Sequence, residues 1–210
     1  MTLAEILTSG TDFLLALQSA FYALLLARQI GFGRFSATHF WPGLFVFSSA
    51  AALAGGSLHA MKASQIAVPD LLWRFVLVFV MGASFCLLAA ACASWMARRR
   101  RVLGWAVILV KTLLVAGMVS FSASFRWVVL DYAVSFAAVL LAVLTRLKES
   151  GSRALAAGIL VSFAAAYVQQ AGIGLSEAVN HNVLYHLIQM GGFYFLYQGA
   201  RALVTKVRTA

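Results

Sequence analysis

His59, Asp70, His181, Asn182 and His186 are the side chains whose types and spacing could do chemistry in this sequence. His59 closes the apolar stretch ending in AGGSLHAMK, and Asp70 opens the one beginning in AVPDLLWRF. The other three stand together in NHNVLYHLIQ. Two imidazoles and a carboxylate brought to one place suit a zinc ion that keeps a coordination position open for water. Such an ion brings the pKa of its water toward neutrality and polarises a carbonyl, which is hydrolytic chemistry. Asn182 and His186 share a helix face at i, i+4, whereas His181 and His186 do not unless the helix starts irregularly. Each residue also has a plain structural use. Asp70, after Pro69, could cap a helix with Arg74 as its ion partner, and the histidines could rest their polar tips in a headgroup zone.

The elements that must position these residues follow from composition. Of 210 residues, 63% are hydrophobic and 10% charged, where a soluble domain is about half apolar and about a quarter charged. Lipid rather than water is therefore expected around most of the chain. Crossing about 30 Å of hydrocarbon places seven spans near 11–29, 40–61, 71–96, 103–121, 125–146, 154–175 and 182–204. Backbone groups in lipid must be satisfied internally and nothing alternates as a barrel strand would, so the expected fold is an all-α bundle forming one domain over 1–210. The first ten residues carry Glu5 and no Lys or Arg. They lack the basic start of a cleavable signal peptide, and the first span is expected to be retained. Cys86 and Cys92 lie on different sides of one helix and are not expected to form a disulfide.

Net charge is +10, yet the bases sit in short clusters between apolar stretches, which excludes a nucleic-acid partner and records orientation instead. Arg28 and Arg34, Arg98 to Arg101, Arg146, Lys148 and Arg153, and finally Arg201, Lys206 and Arg208 all fall on one side of seven spans. Glu5, Asp12, Asp70 and Glu177 fall on or near the other, with Lys62 and Arg126. Basic loops stay in the cytoplasm, so the N-terminus is predicted outside and the C-terminus inside. That topology carries His59, Asp70 and the start of the seventh span to one depth near the outer surface. The Ala- and Arg-rich composition points to a bacterial inner membrane.

The order of these motifs resembles the CREST superfamily of seven-span membrane hydrolases, which includes alkaline ceramidases and adiponectin receptors. The likeness is nearest to the ceramidases, with a small residue and then His in span two, Asp eleven residues later, and a paired motif opening span seven. HNVLYHLIQMGGFYFLYQGAR also looks like uncharacterised bacterial seven-span proteins beside that superfamily. The resemblance implies His59 and His186 as zinc ligands, with His181 available to complete the set and Asp70 orienting or deprotonating the metal-bound water. The family's serine position is Gly55 here, with Ser57 two residues later, and the first histidine of its span-seven pair falls on Asn182. Ser57 and Asn182 are accordingly supporting candidates.

Other polar groups within spans read as structure. Lys111 and Asp131 are predicted to form a membrane-embedded ion pair between spans four and five. Gln169, Gln170 and Gln189 could hydrogen-bond between helices, and the pairs Gly55–Gly56 and Gly191–Gly192 allow close helix approach. Three functions fit these readings. One is a zinc-dependent hydrolase of a lipid amide or ester at the outer leaflet, with membrane lipids as partners and substrate. Another is a non-catalytic sensor, transporter component or scaffold on the same fold. The third is a b-type haem electron carrier with His59 and His186 as axial ligands.

Overall fold

The computed structural model describes residues 2–30 and 37–209, except the side chains of residues 37 and 207–209. Arg34 and the Arg208 side chain, both used above to orient the chain, lie outside that set. Seven α-helices follow one another: α1 (Leu3–Ile30), α2 (Phe40–Ala63), α3 (Asp70–Trp95), α4 (Arg98–Phe121), α5 (Phe125–Leu144), α6 (Ser152–Gln170) and α7 (His181–Thr209). No strand occurs among the described residues. The first six are long and apolar enough to cross a membrane. The chain is a helical membrane protein. In α7, polar residues such as His186 and Gln189 are buried and turn inward, and they lower that helix's mean hydropathy.

Helix limits depart from the predicted spans in four places: α1 and α4 start earlier, at Leu3 and Arg98, α6 ends earlier, at Gln170, and α7 runs on to Thr209. α1 begins at Leu3 rather than near residue 11, because Glu5, Thr8 and Ser9 look like a polar approach to the span but lie on a helix face that meets α2. Ser9 Oγ donates to the Gly56 carbonyl at 2.8 Å, and Ser49 Oγ of α2 returns the link to Ala16 O at 2.8 Å. α6 ends at Gln170 rather than near 175, and residues 171–180 form a non-helical connection. Its start is fixed by Gly151, whose φ of +84° is left-handed and where an added Cβ would lie 2.6 Å from Gly199 O.

Helix contacts close a ring in the order α1, α2, α3, α5, α6, α7 and back to α1. α4 stands outside it against α3 and α5, and Ile108 and Val119 are its buried residues. The faces that build the ring keep helical period. On α1 the buried residues include Thr8, Asp12, Leu15, Ser19, Tyr22 and Leu26, and on α7 His186, Gln189, Phe193, Leu196, Ala200 and Leu203. α6 and α7 approach closely through glycine: a Cβ on Gly158 would lie 2.7 Å from Leu196 N, and one on Gly192 would lie 2.7 Å from Ser162 Oγ. Gly191, also considered above for close approach, would place its Cβ 4.0 Å from Val161.

α4 is fastened to the ring by a charge. Lys111 Nζ donates to the hydroxyls of Ser84 on α3 and Ser135 on α5 at 3.0 Å each. It meets Asp131 Oδ1 at 2.5 Å as an ion pair lying off the hydrogen-bond direction. The Asp131 side chain is 1% exposed. Either charge alone would be costly in hydrocarbon.

Candidate functional site

Within the ring lies a partly open chamber of about 650 Å³ that all six of its helices line and α4 does not reach. At one end, where α2 turns into α3, the chamber meets His59, Lys62 and Asp70. Farther along α1 and α7 it meets Asp12, His186 and Gln189. Most of the remaining wall is apolar or aromatic, with Trp73, Tyr132, Phe136, Phe163, Tyr185 and Phe193, and Ser48, Ser162, Gln169 and Asn182 add uncharged polar groups. A concave, largely apolar space with a few convergent polar groups is the usual form of a small-molecule site.

Asp12 and His186 are each 5% exposed. His186 Nε2 lies 3.1 Å from Asp12 Oδ1, and His186 Nδ1 lies 2.9 Å from Thr11 Oγ1. Thr11 Oγ1 is also 2.9 Å from Leu7 O and 3.0 Å from Thr8 O within its own helix. The direction of the Thr11–His186 bond follows the imidazole tautomer, and in either sense the contact fixes the orientation of the ring. Gly55 and Gly56 of α2 make room for this carboxyl. A Cβ on Gly55 would lie 3.4 Å from Asp12 Oδ2, and one on Gly56 would lie 3.0 Å from Asp12 Cβ. Nearer the α2–α3 turn, His59 Nδ1 pairs with Glu5 Oε2 at 2.6 Å. Both site histidines therefore take their carboxylate from α1. Gln189 Nε2 donates to Ser162 Oγ at 3.0 Å and Gln169 Nε2 to Asn182 Oδ1 at 3.2 Å, two bonds that join α6 to α7.

The sequence-derived candidates divide. His59, Asp70, Asn182 and His186 all line the chamber. His181 begins α7 and Ser57 bonds its own helix at Leu53 O, and neither lines it. Asp70 is the first residue of α3 after Pro69, makes no side-chain capping bond, and has no ion pair to Arg74 among the described residues. Sequence reading missed Asp12, Glu5 and Thr11 as site residues. The available signal was Asp12 itself, an ionisable side chain set inside an apolar segment.

Residues 7–205 match a family of unknown function, DUF6962. The chain belongs to that family. No curated protein and no solved structure matches it. What this DUF6962 chain offers a metal can be judged from its donors. Both ring nitrogens of His186 are engaged by Thr11 and Asp12, and Nδ1 of His59 by Glu5. Among the described residues no group of three or more His, Cys, Asp or Glu is placed to hold a metal ion. As arranged, the side chains do not fit a zinc site, which needs at least three protein ligands converging on one point.

Proposed function

We propose that this protein binds an amphiphilic, lipid-like molecule in the chamber, as a membrane sensor or a component of a transport system. The observation that carries the reading is the chamber's division into two parts. Its charged and imidazole side chains, Asp12, His59, Lys62, Asp70 and His186, gather toward the α2–α3 end, and a mainly apolar and aromatic wall runs on between α2, α3, α5, α6 and α7, interrupted by Ser48, Ser162 and Gln189. A head would sit by Asp12, His59 and His186, and a tail would lie along Phe136, Phe163 and Phe193. All seven helices cross the membrane in this proposal, with the N-terminus outside and the basic residues that follow α3 and α5 in the cytoplasm with Arg28 of α1, so the polar end faces the outer leaflet. A bacterial inner membrane suits the composition. Organic extraction of the purified protein tests the binding. A stoichiometric amphiphile is expected from the native chain and not from Ala166→Trp, which fills the chamber with an indole. Equal lipid from both would refute the reading.

Hydrolysis of a lipid amide or ester with zinc is a second reading, favoured by a specific observation: His59, Asp70 and His186 line one chamber from three separate helices. It requires His186 to exchange its present partners for a metal. Metal analysis of the purified protein decides it. One zinc per chain, lost in His186→Ala, supports it, and substoichiometric zinc unaffected by that change refutes it.

A further inference from the structure

We infer that the polar end of the chamber is built for a cation, so that its occupant is an amphiphile with an ammonium-like head. The inference rests on the chamber reading above and adds the sign of the head's charge.

Charge distribution is the first support. The chain has 16 Lys and Arg against 6 Asp and Glu, yet the chamber wall reverses the balance. Two carboxyl side chains, Asp12 and Asp70, line it against a single permanent cation, Lys62. Glu5 stands directly behind His59 at 2.6 Å, adding a third acid to the same end. Lys62 and Asp70 are both exposed on the rim, where water screens them, while Asp12 is deep in the bundle. An anionic head moving inward would leave Lys62 behind and approach Asp12. A cation would move from Asp70 toward Asp12, whose carboxyl already meets His186 Nε2 at 3.1 Å, and would share that carboxyl where hydrocarbon would otherwise make its charge costly.

The wall supplies the second support. Trp73 and Tyr132 from α3 and α5, and Tyr185 from α7, bring aromatic surface to the same chamber. Trp73 is held by its Nε1–H donating to Ala123 O at 2.8 Å, and its ring lies 5.7 Å from that of Phe125. Aromatic faces attract a desolvated cation through the ring quadrupole and repel an anion. The same walls accept an apolar tail, so head and tail are served together.

Tetraphenylphosphonium and tetraphenylborate, nearly alike in size and opposite in charge, make the test. Each is measured by equilibrium dialysis on the full chain in a neutral maltoside detergent, with Ala166→Trp as the baseline for micelle uptake. The phosphonium is expected to bind one per chain above baseline and about tenfold more tightly than the borate. Asp12→Asn should bring the two within about twofold of each other, through loss of the interior charge partner. Should that variant fail to fold, Asp70→Asn should still reduce the preference by about threefold, as befits a screened rim charge. Equal binding of both ions above baseline overturns the cation assignment while leaving the amphiphile chamber standing. A preference for the borate, or a phosphonium preference unmoved by either substitution, overturns it too. Binding of neither ion above baseline overturns the chamber reading with it.

Discussion

Asp12 of α1 and His186 of α7 hold each other at 3.1 Å inside the bundle, each 5% exposed. Both belong to the wall of the chamber, so the contact that locks two helices also forms part of the site.

Removing one member of that pair leaves the other polar and buried. His186→Ala is expected to destabilise the protein by about 3–5 kcal/mol, and Asp12→Ala by a comparable amount. The double variant should fall short of the sum by about 1–3 kcal/mol, since the second change relieves the group stranded by the first. Thermal unfolding in detergent of the four members of the cycle measures the coupling. Strict additivity would show that the pair contributes nothing.

Lys111 and Asp131 answer to the same logic in a different place. Each charge alone costs at least about 2.5 kcal/mol at membrane depth. Either single apolar replacement should lower yield and melting temperature more than the double replacement does, because Lys111 fastens the peripheral α4 to Ser84, Ser135 and Asp131. Losses that simply add would contradict this.

Glycines in the ring and outside it should respond oppositely. A methyl on Gly158 meets the backbone nitrogen of Leu196 at 2.7 Å, which cannot yield without parting α6 from α7. Gly158→Ala is expected to cost about 1–3 kcal/mol. Gly117 of α4 has nothing within 4 Å of such a methyl. Gly117→Ala should be neutral or stabilise the helix by up to about 1 kcal/mol. Paired melting curves distinguish the two positions, and equal responses would argue against the glycine-mediated approach.

The orientation can be read with reporters. A fusion after Ala210 should report the cytoplasm and one inserted near Ser176 should report the outside. The same side at both positions would mean that α7 does not cross.

Much of this arrangement was legible in the residues, and the physics explains which parts. Long apolar stretches can only be helices in lipid, so helix number and order followed, although α4 takes in the four arginines from Arg98 that read as a loop. His59, Asp70 and His186 were placed at one level by counting spans; all three line one chamber, with His186 farther along it, beside Asp12, than His59 and Asp70. Asp12 escaped as a site residue because one carboxyl early in a hydrophobic segment resembles an interfacial residue, and its partner helix is distant in sequence. Thr11 and His186 are separated by 175 positions, and no spacing rule links them. Nor could α4's place outside the ring be anticipated, since its hydropathy matches that of helices inside it.

Photolabelling tests the central claim most directly. A single-chain amphiphile carrying a diazirine on its tail would be irradiated with the full chain in nanodiscs, and the adducts mapped by peptide sequencing. Adducts are expected at chamber residues such as Val129, Phe163 and Phe193, with loss of that labelling in Ala166→Trp. Labelling confined to the exposed apolar face of α4, at Leu113, Leu114 and Phe121, and unchanged in the filled variant, would contradict it.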